Sequence, residues 1–419
     1  VGPRAGGRPA RARRPAMEAA VSAPTTPAGG APPAGTSDAG TGGAARLIAK
    51  LEQELRDLWK PPEDPAATPL TRVCTMNIGV VAPSRELLER YTPVIDEVTA
   101  SIPARAILAS IEPDGGADEI TGSATAVCSL SGGKNICSER ITLAVHGNAS
   151  ARAASAIEAL LVPEIPTALV WLGRVHTDDP VFEDLAGEAH RVVLDSEYTS
   201  ISSVIHVAAW ARGQRNAPEI VDLAWTRIAV WQEMLARFFD DLETRPLASK
   251  VTRLVLKQAC DPGAGIGPEG ALMLGWIGTR LGWKTSRLAG ALRLKRADGQ
   301  AVTIELASVP RPAGVAPHTL AGFMLEAGDD PKAPLLRGSI ERELASGLTD
   351  QEDTTRDADV IVWRCAKADR AEIEQRIRLG ANKAAKWLER TLHRPARDVA
   401  FAESIAFAEH IVEDGLTVS

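Results

Sequence analysis

The sequence predicts an α/β fold built as two α/β units with mixed sheets joined by a helical connector. Three observations carry that prediction. From Thr71 to about Ser196, β-branched apolar runs alternate with stretches of helical period. A second alternation begins near Lys250, and the segment between them, 201–247, reads as helix. Strand–helix alternation of this kind argues sheets flanked by helices.

Taken in order, residues 1–43 are rich in Ala, Gly, Pro, Ser and Thr and are expected to form a disordered tail. Met17 is a candidate initiator within it. Residues 44–70 are an amphipathic helix and linker: Leu47, Leu51, Leu55 and Leu58 share one face, and Pro61 and Pro62 stop it. In the N-terminal α/β domain, 71–200, strand Cys74 to Ala82 leads into helix Arg85 to Ser101 and strand Ala104 to Glu112. A hairpin of Ala124 to Leu130 and Ile136 to Val145 turns at Ser-Gly-Gly-Lys-Asn, where glycine supplies positive φ. Helix Ala151 to Leu161, strand Thr167 to Leu172, helix Phe182 to Ala189 and strand Arg191 to Asp195 complete it.

The connector holds helix Ile201 to Arg212 and a second helix, Asp222 to Leu242, with more bulky apolar side chains than one buried stripe uses. Asp222 suits the positive end of that helix. The C-terminal α/β domain, 248–419, reads as strand Val251 to Gln258, helix Pro268 to Leu281 and a hairpin of Leu288 to Ala297 with Ala301 to Val309 about Asp298-Gly299. Strands Thr319 to Glu326 and Asp359 to Trp363 follow, then helices Ala371 to Leu392 and Val399 to Ile411.

Composition limits the function classes. With 419 residues, 45% of them hydrophobic, the chain can bury ample core and divide into domains. A net charge of −7 argues against sequence-independent nucleic-acid binding, which needs a basic surface. No run approaches a transmembrane span, so no membrane partner is expected. Five cysteines, an odd number in a long chain, point to a reducing cytoplasm.

Candidate chemistry is sparse. Gly265-Ile-Gly-Pro-Glu-Gly270 has the form G-x-G-x-x-G between a strand and a helix, the arrangement that seats a dinucleotide pyrophosphate. Pro268 removes one backbone N–H from it, and no acid ends the next strand, so an ordinary helix start is the stronger reading. Ser131-Gly-Gly-Lys134 lacks the spacing of a phosphate loop and reads as a hairpin turn. If the hairpin centres between Gly132 and Gly133, Cys128 lies opposite Cys137. That pair is read either as two small buried hydrophobes or as a disulfide-capable redox switch. Seven scattered histidines form no metal or hydrolase motif, and no zinc spacing is present. On the residues alone, no catalytic group, metal or cofactor is assigned.

Ordered segments add a resemblance. DLAWTR from Asp222, followed by W-x-x-x-L-A and Phe-Phe-Asp, stands with RVCTMNIGVVAP from Arg72, ICSERITLAVHG from Ile136, VPEIPTALVWLG from Val162 and LMLGWIGTRLGW from Leu272. In this order they resemble the OpcA family, the glucose-6-phosphate dehydrogenase assembly proteins. The resemblance implies a non-catalytic partner of that dehydrogenase, an assembly or allosteric activator subunit supporting the oxidative pentose phosphate pathway. The alternative is an enzyme or sensor that binds NADP or a sugar phosphate through the Gly265–Gly270 loop. Exposed members of Trp225, Arg227, Trp231 and Arg237 are the expected partner contacts, since Trp and Arg anchor interfaces. Core packing is the competing reading for the two tryptophans.

Overall fold

The computed structural model describes residues 41–60, 70–131, 134–288, 291–312, 315–343, 360–378, 384–394 and 398–413. The expected tail, the linker 61–69 and the Gly132-Gly133 turn lie outside them. Helix α1 (Thr41–Leu58) buries Leu47, Leu51 and Leu55, the expected face. Trp59, just after it, donates its indole N–H to Glu139 Oε1 at 2.8 Å.

The first sheet starts with β1 (Leu70–Arg72) and β2 (Met76–Ala82), then α2 (Arg85–Ser101) and β3 (Ala104–Glu112). Ser84 caps α2 by accepting from Leu87 N. The hairpin is β4 (Ile120–Ser131) with β5 (Lys134–His146), and Cys128 sits opposite Cys137 in its register. Then come α3 (Ala153–Glu158), β6 (Thr167–Trp171), α4 (Pro180–Glu188), β7 (Arg191–Leu194), α5 (Ile201–Arg212) and β8 (Glu219–Asp222). Strand order is β1-β5-β3-β2-β6-β7-β8, with β4 antiparallel on β5 and the remaining pairs parallel. Chain direction across the sheet reverses between β2 and β6, where open α/β sheets place ligands. Here Pro83 packs against Gly173 at that point: a Cβ on Gly173, at φ +94°, would lie 2.9 Å from Pro83 Cγ.

Strand β8 corrects the purely helical connector: Glu219–Asp222 extends the first sheet beside β7. The single helix expected over Asp222 to Leu242 is also divided. It comprises α6 (Leu223–Arg227), α7 (Ala229–Ala236) and a 3-10 turn, Arg237–Phe239, with the break at Ile228 (φ −78°, ψ −5°). The break lets the two halves serve different neighbours. Trp225 on α6 packs on Phe401, whereas Trp363 donates its indole N–H to the Met234 carbonyl on α7.

The second sheet contains β9 (Val251–Ala259), β10 (Lys284–Leu288), β11 (Ala291–Lys295), β12 (Ala301–Val309), β13 (Thr319–Ala327), β14 (Leu336–Glu343), β15 (Val360–Lys367) and β16 (Ile373–Arg378). Helix α8 (Pro268–Arg280) follows β9, and α9 (Ala384–His393) and α10 (Val399–Glu413) close the described chain. Strand order is β10-β11-β12-β9-β13-β14-β15-β16, parallel only between β9 and β12. The hairpin about Asp298-Gly299 is present. Strand β14 was not anticipated, and β16 replaces the first turns of the helix expected from Ala371. Ile373-Glu-Gln-Arg-Ile-Arg has helix-forming residues, but here it serves as an edge strand, with charged side chains of the kind that discourage further pairing.

Both terminal helices return to the first sheet. Ala385 and Leu388 of α9 join one buried cluster with Leu88, Tyr91 and Ile95 of α2. Arg191 of β7 donates to the carbonyls of Thr391, Leu392 and Arg394 at the end of α9, where the helix dipole favours a cation. Helix α10 beds on α8 because Gly275 and Gly278 have no side chains: a Cβ on either would fall on the Ser404 carbonyl or the Phe407 ring. A single apolar cluster runs through both sheets, and the described residues lie within one compact unit.

Candidate functional site in the cleft between the sheets

A cleft of about 1080 Å³ opens between α2, the β7–α5 loop, the loop before α8, the segment before β13, and α9. Among its buried charged groups is Arg227, whose side chain is 10% exposed. Its Nη1 donates to Asp195 Oδ1 at 3.0 Å and its Nε to Glu269 Oε1 at 3.0 Å. The Trp387 ring lies 5.2 Å from its guanidinium. Burial works against the Arg227 charge, but Asp195 and Glu269 outweigh it and hold the group above its ordinary value.

Asp222 sits behind this cluster, fully buried. Its Oδ1 accepts from Ala224 N at 3.0 Å, capping α6, and from Ser196 N at 3.1 Å, fixing the β7–α5 loop. Its Oδ2 has no hydrogen-bond partner. Burial pushes the carboxyl up to about 6, and the Asp195 charge adds to the effect.

The hexapeptide Asp222–Arg227 therefore works as a joint. Trp225 Nε1 donates to Asp398 Oδ2 at 2.8 Å, and the Thr226 and Thr391 hydroxyls are 2.9 Å apart. Trp225 is 3% exposed and Trp231 0%, so both belong to the core and present no contact surface. Trp231 is covered by Arg342, 5.4 Å from its ring. Arg227 is committed to Asp195 and Glu269, with Glu197 3.9 Å from its Nη1. Arg237, 40% exposed, pairs among the described residues only with Glu233 one turn back, and is the one of the four anticipated contacts that reaches the surface.

The glycine loop is filled by the protein itself. Gly267 N donates to Gln258 Oε1 at 2.8 Å, and a Cβ on Gly270 would lie 2.7 Å from the same oxygen. A Cβ on Gly267 would fall on His318. Close packing on Gln258 and His318 thus explains two of the glycines, and the space where a pyrophosphate would approach holds the Gln258 amide. His318 itself takes φ +62°. Cys128 and Cys137 lie far in sequence from this region, paired as a disulfide with Cα atoms 4.0 Å apart.

The cleft also uses residues that the sequence did not single out: Tyr91, Ser196, Thr199 and His318. For Ser196 and Thr199 a signal existed, a polar run directly after a parallel strand, on the side where ligands gather. For Tyr91, one of several large side chains on an amphipathic helix, there was none.

Residues 95–209 match the family described as the glucose-6-phosphate dehydrogenase subunit N-terminal domain. Residues 218–405 match the one described as the corresponding C-terminal domain. The chain belongs to the OpcA family. Relatives named OxPP cycle protein OpcA include those of Synechococcus elongatus, 28% identical over 46% of this chain and 44% of that protein, and of Nostoc punctiforme, 28% identical over 52% and 48%. The chain thus aligns with about half the length of the curated OpcA relatives it matches. Among solved structures, KijD10, a 3-ketoreductase from Actinomadura kijaniata, is similar over 82% of this chain and 99% of its own, with 10% identity and a TM-score of 0.44.

The OpcA segments coincide with joints of the fold. Asn77 Nδ2 donates to the Val162 carbonyl at 2.9 Å, and Val162 N returns a bond to Asn77 Oδ1 at 3.0 Å, linking the segments that begin at Arg72 and Val162. Arg72 pairs with the buried Glu139 at 2.7 Å, linking the first segment to that of Ile136. The Leu272 segment carries Gly275 and Gly278, on which α10 rests.

Proposed function

We propose that this OpcA-family chain is a non-catalytic subunit that assembles with glucose-6-phosphate dehydrogenase and favours its active state. The observation that carries the reading is the match of dehydrogenase-subunit domain families to both halves of the chain. The packing of the Gly265–Gly270 loop on Gln258 supports it against the alternative of a cofactor held in that loop. A binder shifts the enzyme's equilibrium only through different affinity for its two states.

Arg237 is our assigned contact among the four residues considered, because it reaches solvent. Asp222, Trp225 and Arg227 act indirectly, by holding the two sheets and the terminal helices in one arrangement. The Cys128–Cys137 pair is assigned a redox-sensitive role at the far end of the hairpin.

A dehydrogenase assay with and without the full chain, at varied substrate, tests the reading. A higher rate or tighter substrate affinity is expected, together with a change in oligomer size. No change in any of the three overturns it. Arg237→Glu should weaken the effect with the fold intact, and Cys128→Ser should abolish any difference between oxidant and reductant.

A further inference from the structure

The cleft gathers polar atoms that the chain leaves unused. Tyr91 and Ser196 are 5% and 4% exposed, and neither hydroxyl has a hydrogen-bond partner. Thr199 Oγ1 and His318 Nδ1 line the same walls in the same condition. Folded chains leave few buried polar atoms unpaired, and an unfilled requirement of this kind marks a water, an ion or a ligand. Here the four come from three separate segments: α2, the β7–α5 loop and the segment before β13. No local turn geometry accounts for their convergence.

The rim carries both signs of charge, Glu97 and Glu197 sharing the lining with Arg90 and Arg311. Arg227 is balanced by Asp195 and Glu269, but Arg90 and Arg311 are exposed and line the cleft with no carboxylate partner among the described residues. Arg311 spends one N–H on the Val315 carbonyl at 3.1 Å. Guanidinium groups at the mouth suit a phosphate ester, which they bind by paired charged hydrogen bonds. Hydroxyls and an imidazole nitrogen inside suit a ligand that both donates and accepts. The volume of about 1080 Å³ is that of a metabolite site, well beyond a single ion.

We propose that this cleft binds a phosphorylated, polyhydroxylated metabolite, with its phosphate at the Arg90 and Arg311 rim and its hydroxyls on Tyr91, Ser196 and Thr199. Sugar phosphates and nucleotides share that chemistry. The Gly265–Gly270 turn borders the same cleft through Ile266, Gly267 and Pro268, but its N–H at Gly267 is already taken by Gln258 and is not part of the proposed contacts. It rests on the cleft alone and not on partnership with the dehydrogenase.

Titration calorimetry on the full chain, with no dehydrogenase present, tests this with glucose 6-phosphate, NADP, glucose and inorganic phosphate. Saturable binding of at least one phosphate ester is expected, with glucose and inorganic phosphate weaker by about tenfold or more. Binding of glucose 6-phosphate alone assigns the sugar-phosphate class, and of NADP alone the nucleotide class. Arg311→Ala, at the exposed rim, and Tyr91→Phe, which keeps the buried ring, should each weaken the ester by about tenfold, with melting temperature as the check on folding. The proposal is overturned if neither ester binds at millimolar concentration. It is equally overturned if inorganic phosphate binds as tightly as the ester, or if both folded variants bind like the parent.

Discussion

Trp225 donates its indole N–H to Asp398 across 173 residues of chain, tying α6 to the start of α10. Trp225→Phe removes the donor and keeps most of the ring. Asp398 Oδ2 still accepts from Arg394 Nη1 at 2.9 Å, so no buried acceptor is stranded. A loss of about 1 kcal/mol is expected, and a melting point lower by about 2 °C. Trp225→Ala should cost about 3–5 kcal/mol through the cavity it leaves. Urea titration of both variants checks this, and a neutral Trp225→Phe would remove the bond from the list of stabilising contacts.

Arg227 and Arg237 should separate cleanly. Arg227→Met leaves Asp195 and Glu269 without their cation in a buried site, and a loss of about 3–5 kcal/mol is expected. Arg237→Ala removes one exposed ion pair and should cost under about 0.5 kcal/mol. Equal losses in denaturant midpoint would contradict the burial difference.

Asp222 sets a pH dependence. Its carboxyl titrates at about 6 in the fold against 3.8 as the ordinary value, so the folded chain holds the proton more tightly. Stability therefore falls as pH rises between those values, and the group's cost is complete above them, at roughly 3 kcal/mol. Asp222→Asn keeps an oxygen for Ala224 N and Ser196 N and removes the charge. The stability of the variant relative to the parent should rise from about pH 4 to about pH 7 by up to roughly 3 kcal/mol. A difference that stays flat with pH would contradict the burial account.

Two helical glycines should respond with opposite sign. Gly275→Ala drives a Cβ into the Ser404 carbonyl, so α10 must shift off α8, and about 2 kcal/mol or more should be lost. Gly187, near the end of α4, has nothing within 4 Å of a built Cβ. Gly187→Ala should gain about 0.5 kcal/mol from helix propensity and a stiffer unfolded chain. Thermal melts of the pair suffice.

Elements with strong local signals were legible. Helix Arg85–Ser101 and strand Ala104–Glu112 lie where their periodicity places them, and the glycine turn set the Cys128–Cys137 register. Asp222 was legible as a cap, because capping is a matter of adjacent residues. The break at Ile228 was not, since it serves two separate packing partners that periodicity does not reveal. Strand β8 has four residues, too short for a period-two pattern to show, and it depends on pairing with β7. The cleft was the least legible part. Tyr91 and His318 are 227 residues apart in sequence, and only the return of α9 over α2 gives that region a wall.

The return of the terminal helices gives the second sheet two anchorages. The chain leaves the first sheet at β8 and α6, builds the second sheet, and comes back to grip α2 and Arg191 through α9. A sheet held at both ends cannot swing like a lid on one hinge. One tie runs through β8 and α6 and the other through α9, so losing either leaves the second sheet fastened by the other.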